Sequence, residues 1–180
     1  SVLRWMPLAD EYFGEGATIV GDSLIQLTWL AGKAFVYDIE SFEVTGSFDY
    51  EGQGWGLCFD GVALVMSDGS SSLTMRDPET FSVIDSVTVR LDGSGVASLN
   101  ELECANGKVY ANIWQTDTIV EIDPATGDVT AVIDASGLLD DAGSAGADVL
   151  NGIAYDEATG AFLLTGKLWP SMFLVVFEPA

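Results

Sequence analysis

The stretch that decides the fold is NELECANGKVYANIWQTDTIVEIDPATG, residues 100–127. An alternating run comes first, then the turn formers Asn106 and Gly107, and then a second run that ends at Trp114. A third run stops at Asp-Pro, with a Gly three residues further on. Asn-Gly between alternating runs is a strong hairpin signal, and Asp-Pro before a Gly marks a tight turn. The stretch therefore predicts consecutive antiparallel strands.

This layout recurs along the chain. Its four copies are EGATIVGDSLIQLTW, WGLCFDGVALVMSDG, NELECANGKVYANIW and NGIAYDEATGAFLLTGK. Gly16 and Gly56 lie 40 residues apart, Gly56 and Glu101 lie 45 apart, and Glu101 and Gly152 lie 51 apart. Units of four short strands that recur at such a period are typical of β-propeller blades. We therefore predict an all-β fold, with residues 1–180 forming a single β-propeller domain.

The last repeat has three predicted strands, VLNGIAY, AFLLTG and MFLVVFE, and the N-terminal run at residues 2–8 is left over. Pairing of residues 2–8 beside residues 172–177 would cover both sheet edges, so we predict four blades closed by the N-terminal strand. The alternative is a truncated five-bladed propeller. The stretch ASGLLDDAGSAGADVL is the one place where we expect a short helix or a long loop.

Charge excludes several classes of function. Asp and Glu number 28 against six Lys and Arg, there is no His, and the net charge is −22. The acids are spread along the chain, so the surface repels phosphate backbones, favours cationic ligands and stays soluble in concentrated salt. The absence of His excludes Ser-His-Asp and Cys-His mechanisms. We expect no nucleic acid partner, and a saline habitat is the simplest explanation of the charge.

The apolar runs are far shorter than the roughly 20 residues of a spanning helix, so we expect no membrane partner. The start, SVLRWMPLADEY, has none of the features of a signal peptide. Cys58 and Cys104 lie at similar places in two repeats and are interpreted as small buried hydrophobes, with a disulfide as the alternative. We expect no metal ligands; a weaker option is Ca²⁺ bound by scattered carboxylates such as Glu101, Glu103, Asp140 and Asp141.

Seven motifs, in order, carry a family resemblance: YFGEGATIVGDSLIQLTW, GWGLCFDG with SDGSSSL, DPETF, LNELE, VYANIWQTDTIVEIDPATG, LNGIAYD and TGKLWP. They resemble the plant and bacterial type of glutaminyl-peptide cyclotransferase. The resemblance implies a β-propeller aminoacyltransferase that needs no metal or other cofactor and converts an N-terminal Gln into pyroglutamate with release of ammonia. Its implied partner is a peptide or small molecule with an N-terminal Gln, and its implied location is secreted or periplasmic. The oligomeric state stays open.

The family's pocket residues match seven positions of this chain. The resemblance implies catalytic roles for Glu15, Asn100 and Lys167, and substrate-binding roles for Phe13, Trp29, Trp55 and Trp114. Three features depart from the family pattern. The F-T-Q-G motif of the family's first blade is absent from these 180 residues, Leu30 stands where Lys is usual, and Gln53 stands where Glu is usual.

The chemistry of cyclisation suits these residues. One carboxylate, Glu15, can take a proton from the attacking amine and deliver it to the leaving amide nitrogen, with Glu101 as the next candidate. Gly14 and Gly16 on either side would let a substrate come close. Asn100 can donate to the oxyanion and Lys167 can add positive charge. The aromatic side chains would form a cage that holds the Gln side chain against its own amine.

Two alternatives remain open on the sequence. A Trp at the end of a propeller strand is commonly interblade packing, yet Trp29 follows Glu15 by 14 residues and Trp114 follows Asn100 by the same 14. This repetition favours side chains that converge on one mouth of the ring. The second alternative is a non-catalytic propeller that binds peptide amino termini or another small cationic ligand, because the first-blade motif is missing.

Overall fold

The computed structural model describes residues 4–139 and 145–178, and nearly all of its regular structure is β-strand. The strands of this part of the chain, in order, are β1 (Gly14–Val20), β2 (Ser23–Thr28), β3 (Lys33–Asp38), β4 (Val44–Asp49), β5 (Leu57–Phe59), β6 (Leu64–Ser67), β7 (Ser72–Arg76), β8 (Val83–Thr88), β9 (Arg90–Leu91), β10 (Ser94–Gly95), β11 (Leu99–Ala105), β12 (Lys108–Ile113), β13 (Thr118–Ile122), β14 (Val129–Asp134), β15 (Leu150–Asp156), β16 (Ala161–Gly166) and β17 (Phe173–Val175).

Four antiparallel sheets form the four blades of a β-propeller. Blade 1 is β1–β4, blade 2 is β5–β8, blade 3 is β11–β14 and blade 4 is β15–β17, and the order of strands in each sheet follows the chain. The predicted all-β propeller is therefore confirmed. The short β9–β10 hairpin between blades 2 and 3 was not predicted. The Arg90 backbone forms an isolated parallel β-bridge to that of Asp128, with the Arg90 N–H donating to the Gly127 carbonyl oxygen at 2.9 Å, and so joins the hairpin to a turn of blade 3.

The turns form where the sequence places Asp and Asn-Gly. Asn106 and Gly107 between β11 and β12 both have positive φ, 53° and 73°, as a two-residue hairpin turn of this kind requires. Between the third and fourth strands of blades 1, 2 and 3, an Asp carboxylate accepts backbone N–H groups of the turn. These three residues are Asp38, Asp77 and Asp123. The same local chemistry therefore closes the same hairpin in three blades.

Three apolar clusters lie where neighbouring blades meet. Leu27, Leu57 and Phe81 belong to the cluster between blades 1 and 2. Similar clusters join blade 2 to blade 3 and blade 3 to blade 4. The innermost strands β1, β5, β11 and β15 pack against one another in chain order. Among the described strands, any contact between β15 and β1 is much less extensive than the contacts between these successive inner strands.

The predicted pairing of the N-terminal run with the last blade is wrong for residues 4–8, which form no strand, and residues 2 and 3 lie outside the described residues. Instead, the Arg4 guanidinium donates to the carbonyl oxygens of Ile39 (2.9 Å) and Glu40, in the turn between β3 and β4. Pro7 also has no N–H to offer a sheet. Blade 4 consequently has three strands, and β17 is its edge.

Cys58 of β5 and Cys104 of β11 form a disulfide, with their Cα atoms 5.4 Å apart. The interpretation of these residues as unpaired small hydrophobes is therefore wrong. The two cysteines also do not occupy equivalent positions in their blades. Cys104 pairs with Val109, and the equivalent pair in blade 2 is Phe59 with Leu64. Cys104 therefore lies one residue further along its strand than Cys58 does. The bond forms because β5 and β11 lie side by side in adjacent blades.

The segment expected to be a short helix or a long loop lies only partly within the described residues. Leu138 and Leu139 are helical, and residues 140–144, which include Asp140 and Asp141, fall outside the description. No helix in residues 4–139 and 145–178 is long and apolar enough to cross a membrane.

Candidate active site

Two positions recur in every blade and together contain six of the seven predicted site residues. In each blade, one residue pair between the first and second strands marks the same register. These pairs are Ala17–Gln26, Leu57–Met66, Leu102–Ala111 and Ile153–Leu164. The first-strand position lies two residues before the first member of each pair. The second-strand position lies three residues after the second member of each pair. The first-strand residues are Glu15, Trp55, Asn100 and Asn151, and the second-strand residues are Trp29, Gly69, Trp114 and Lys167.

This equivalence explains the 14-residue offset found in the sequence. Trp29 and Trp114 follow the same strand of their blades and are held by the same backbone bond, from Trp29 N–H to the Phe13 carbonyl and from Trp114 N–H to the Ser98 carbonyl, both at 2.9 Å. In blade 4 the hairpin between Asp156 and Ala161 is two residues longer. The offset there is 16 residues, which is why sequence reasoning missed Asn151.

The aromatic side chains form a row of two pairs that spans three blades. The rings of Phe13 and Trp29 meet edge to face with centroids 6.1 Å apart, and those of Trp55 and Trp114 do so at 5.4 Å. Gln53 joins the two pairs, because its Oε1 accepts from the Trp29 indole N–H at 2.8 Å and from the Trp55 indole N–H at 3.0 Å. In the sequence Gln53 stands out only as a departure from the family pattern, and nothing there predicts this contact.

The three indoles are not sealed in separate blades. Trp29 is 40 % exposed, Trp114 is 38 % exposed and Trp55 is partly buried. Phe13 is more exposed still. An aromatic surface that stays open to solvent is suited to contact with a ligand.

Glu15 lies where blade 1 meets blade 2. The next residue, Gly16, donates its N–H to the Trp55 carbonyl at 2.8 Å, and a β-carbon on Gly16 would lie only 2.6 Å from the Leu57 backbone nitrogen. Interblade packing, rather than access for a substrate, therefore explains this glycine. The close approach holds the Glu15 backbone against the backbone of Trp55.

Burial raises the pKa of the Glu15 carboxyl, and the positive charge of Lys167 partly offsets this increase. Lys167 comes from the opposite end of the chain, at the end of β16 in blade 4. Its Nζ lies 6.0 Å from the centre of the Phe13 ring. Glu15, Lys167 and Phe13 are therefore brought together from blades 1 and 4, although residues 13 and 167 are far apart in sequence.

Glu101 lies beside this group and is partly buried. It occupies the position that follows Asn100, where the other blades have Gly16, Gly56 and Gly152. Burial, then the negative charges of Glu103 and Glu15, raise the pKa of Glu101 to about 8, against the opposing effect of Lys167. The protonated form of this carboxyl is therefore favoured over that of an exposed one, and the Glu101 backbone N–H donates to Asn151 Oδ1 at 3.4 Å.

Asn100 is buried, and its backbone is fixed by blade 2. Its carbonyl oxygen accepts from the Ser67 hydroxyl at 2.6 Å, and the same hydroxyl oxygen accepts from the Gly56 N–H at 2.8 Å. Within the described residues, Asn100 Oδ1 has no hydrogen-bond partner. The strand therefore positions the Asn100 side chain, while its amide oxygen accepts no hydrogen bond from the described residues.

A separate cavity of about 790 Å³ lies between the outer strands of blades 3 and 4. Val132 and Phe162 are among its lining residues, and none of the seven predicted site residues contributes to it. The described residues also hold no cluster of three or more His, Cys, Asp or Glu arranged for a metal ion. The chemically distinctive groups are those around Glu15.

The fold and this site define a class of protein: a β-propeller whose ring carries a half-buried carboxyl, an ammonium and an amide beside a row of aromatic side chains. Comparison with known proteins agrees. Residues 1–177 match the family described as glutamine cyclotransferase. The chain is 43 % identical over 174 residues to the glutaminyl-peptide cyclotransferase of Arabidopsis thaliana, covering 94 % of this chain and 54 % of that protein. It therefore belongs to the glutamine cyclotransferase family.

Solved structures support the same assignment. The crystal structure of Myxococcus xanthus glutaminyl cyclase superposes with a TM-score of 0.89 at 43 % identity, over 94 % of this chain and 75 % of that one. The computationally designed Ika4 protein superposes with a TM-score of 0.55 at 12 % identity, which speaks for the fold alone. The present chain spans about half the length of the curated relative that it matches.

Proposed function

We propose that this protein is a glutaminyl-peptide cyclotransferase acting on peptides or small molecules with an N-terminal Gln. The observation that carries the proposal is the half-buried Glu15, whose pKa is raised by burial, next to Lys167 and the aromatic row. A carboxyl whose pKa is raised toward neutrality is better matched to proton transfer than an exposed one. The resemblance of 94 % of this chain to an Arabidopsis protein of this name supports the same activity.

In the proposed reaction, the free α-amine nitrogen attacks the side-chain amide carbon of the same residue. A carbon–nitrogen bond forms and closes the ring, and the bond from that carbon to the amide nitrogen breaks, so that ammonia leaves. Glu15 accepts the proton lost by the amine and delivers it to the departing nitrogen. Proton count and charge therefore balance without another reactant.

The remaining side chains have supporting roles in this proposal. The carbonyl oxygen becomes negative in the tetrahedral intermediate, and the Asn100 amide N–H groups and the Lys167 charge stabilise it. The aromatic row binds the aliphatic part of the Gln side chain and holds the amide carbon near the amine. Because burial favours the protonated form of Glu101, this carboxyl adds less negative charge close to Glu15 than an exposed one would.

The test is direct. The 180-residue chain is incubated with a short Gln-initiated peptide, and released ammonia is measured together with the loss of one ammonia mass from the peptide. The same peptide with an acetylated amine is the control, because it has no nucleophile. Ammonia release only from the free-amine peptide supports the proposal. Saturable binding of the Gln peptide without ammonia release would instead indicate a non-catalytic propeller.

A further inference from the structure

Gln53 occupies a structural position that the proposed reaction does not explain. It lies in the connection between blades 1 and 2, it is exposed, and its side chain accepts a hydrogen bond from each of two site tryptophans. Both donors are indole N–H groups, which can only donate. The atom that accepts from both must therefore be the amide oxygen, and this fixes the orientation of the Gln53 amide.

The two bonded tryptophans come from different blades. Trp29 follows β2 of blade 1, and Trp55 precedes β5 of blade 2. Each also has an aromatic neighbour, Phe13 for Trp29 and Trp114 for Trp55. Within the described residues, Gln53 is the hydrogen-bonding side chain that joins these two aromatic pairs.

We propose that Gln53 is a positioning residue that sets the spacing and tilt of the Trp29 and Trp55 indole rings by accepting a hydrogen bond from each of them. This inference rests on the proposed function for its effect on catalysis, but the positioning itself does not. An exposed indole without such a bond would sample other rotamers, and ordering it would then oppose ligand binding. The geometry of the ligand surface is in this way decided by a side chain that need not touch the ligand.

The experiment compares Gln53→Leu, Gln53→Glu and Glu51→Ala. Leu removes the acceptor at similar size, Glu retains an oxygen acceptor, and Glu51 is an exposed residue of the same connection. The first readout is the set of indole N–H resonances of the protein labelled with ¹⁵N-tryptophan, assigned with Trp29→Phe and Trp55→Phe. We expect the Trp29 and Trp55 resonances to move upfield in Gln53→Leu and to stay close to wild type in the other two variants.

The second readout is the steady-state kinetics of Gln-peptide cyclisation. Net hydrogen bonds of ordinary strength predict that Gln53→Leu raises KM about three- to thirtyfold with a smaller change in kcat, and that Gln53→Glu restores KM. Unmoved indole resonances in Gln53→Leu, or an unchanged KM in an active enzyme, would overturn the inference. If the wild-type chain releases no ammonia while both indole resonances respond to Gln53→Leu alone, the positioning role stands and the proposed function fails.

Discussion

A β-carbon on Gly69 would lie 2.6 Å from Cζ2 of Trp55. Gly69 occupies the second-strand position of blade 2, where blades 1 and 3 have Trp29 and Trp114. Blade 2 therefore reverses the arrangement of its neighbours: its tryptophan comes from the first-strand position, and its second-strand position is empty so that the indole can lie there. Trp55 joins the aromatic row only because Gly69 has no side chain.

Gly69→Ala should consequently displace the Trp55 ring and lower kcat/KM for a Gln peptide at least about tenfold, since small misplacements at a site are costly. Gly61→Ala is the matched control. Both glycines have positive φ, 83° and 95°, but a β-carbon on Gly61 meets no atom within 4 Å. The two variants should share the backbone strain, so equal losses of activity in both would contradict this account of Trp55.

Glu15→Gln should lower kcat by about 10² to 10⁴, the usual contribution of general acid–base catalysis, while the fold persists. Gln keeps the shape of the side chain but cannot accept a proton from the amine. Steady-state ammonia release measures kcat, far-ultraviolet circular dichroism checks the fold, and exposed Glu11→Gln is the control. A Glu15→Gln protein with more than about a tenth of wild-type kcat would move the proton shuttle to another group, with Glu101 as the next candidate.

Trp114→Ala should chiefly raise KM, because Trp114 is 38 % exposed and meets Trp55 edge to face. Its cost in the free energy of unfolding should be below the roughly 3–5 kcal/mol of a large aromatic removed from a core. Phe162→Ala, at a residue only 5 % exposed in the cluster between blades 3 and 4, should cost that full amount and leave KM near wild type. Urea unfolding measures the free energy of unfolding of both variants, and steady-state kinetics measures their KM. A full core cost at Trp114 with unchanged KM would favour interblade packing.

The stability of the protein should depend on pH through Glu101. Its pKa is about 8 in the folded protein against an ordinary value of 4.5, so the folded state binds more protons than the unfolded chain in that interval. The Glu101 contribution is therefore complete below about pH 4.5 and is lost as pH rises toward about 8. Urea unfolding between these limits should show a shallower decline for Glu101→Gln than for wild type. Exposed Glu79→Gln should keep the wild-type slope, and identical slopes in all three proteins would refute the assignment.

The disulfide should be a large contributor to stability because it joins blades 2 and 3 across 46 residues. Loop-closure entropy for a loop of this length corresponds to about 4 kcal/mol, before any strain in the folded state. The double variant Cys58→Ala, Cys104→Ala should unfold at lower urea concentration than wild type under oxidising conditions. A reductant should lower the midpoint of wild type and leave that of the double variant unchanged. Equal midpoints for the two proteins without reductant would contradict the prediction.

Much of the fold follows from local sequence. Alternation of apolar residues, Asn106-Gly107 and the Asp residues of the turns determine where strands start and stop, because backbone conformation at a turn depends on a few adjacent residues. Recurrence of this pattern is enough to predict four blades. The 14-residue offset from Glu15 to Trp29 and from Asn100 to Trp114 likewise follows from hairpins of equal length.

Only the tertiary structure decides what happens between blades. Several contacts join residues from different strands or connections. They are the disulfide, the hydrogen bonds of Gln53 to two indoles, the packing of the Trp55 ring against Gly69, and the contact of Arg4 with the turn of blade 1. Such contacts depend on how closely and at what angle the sheets approach, and the period-two pattern of a strand holds no information about its neighbour in the next blade. The alternation along β5 and β11 is the same whether their cysteines meet or not, and it is the side-by-side packing of these two strands that brings Cys58 to Cys104.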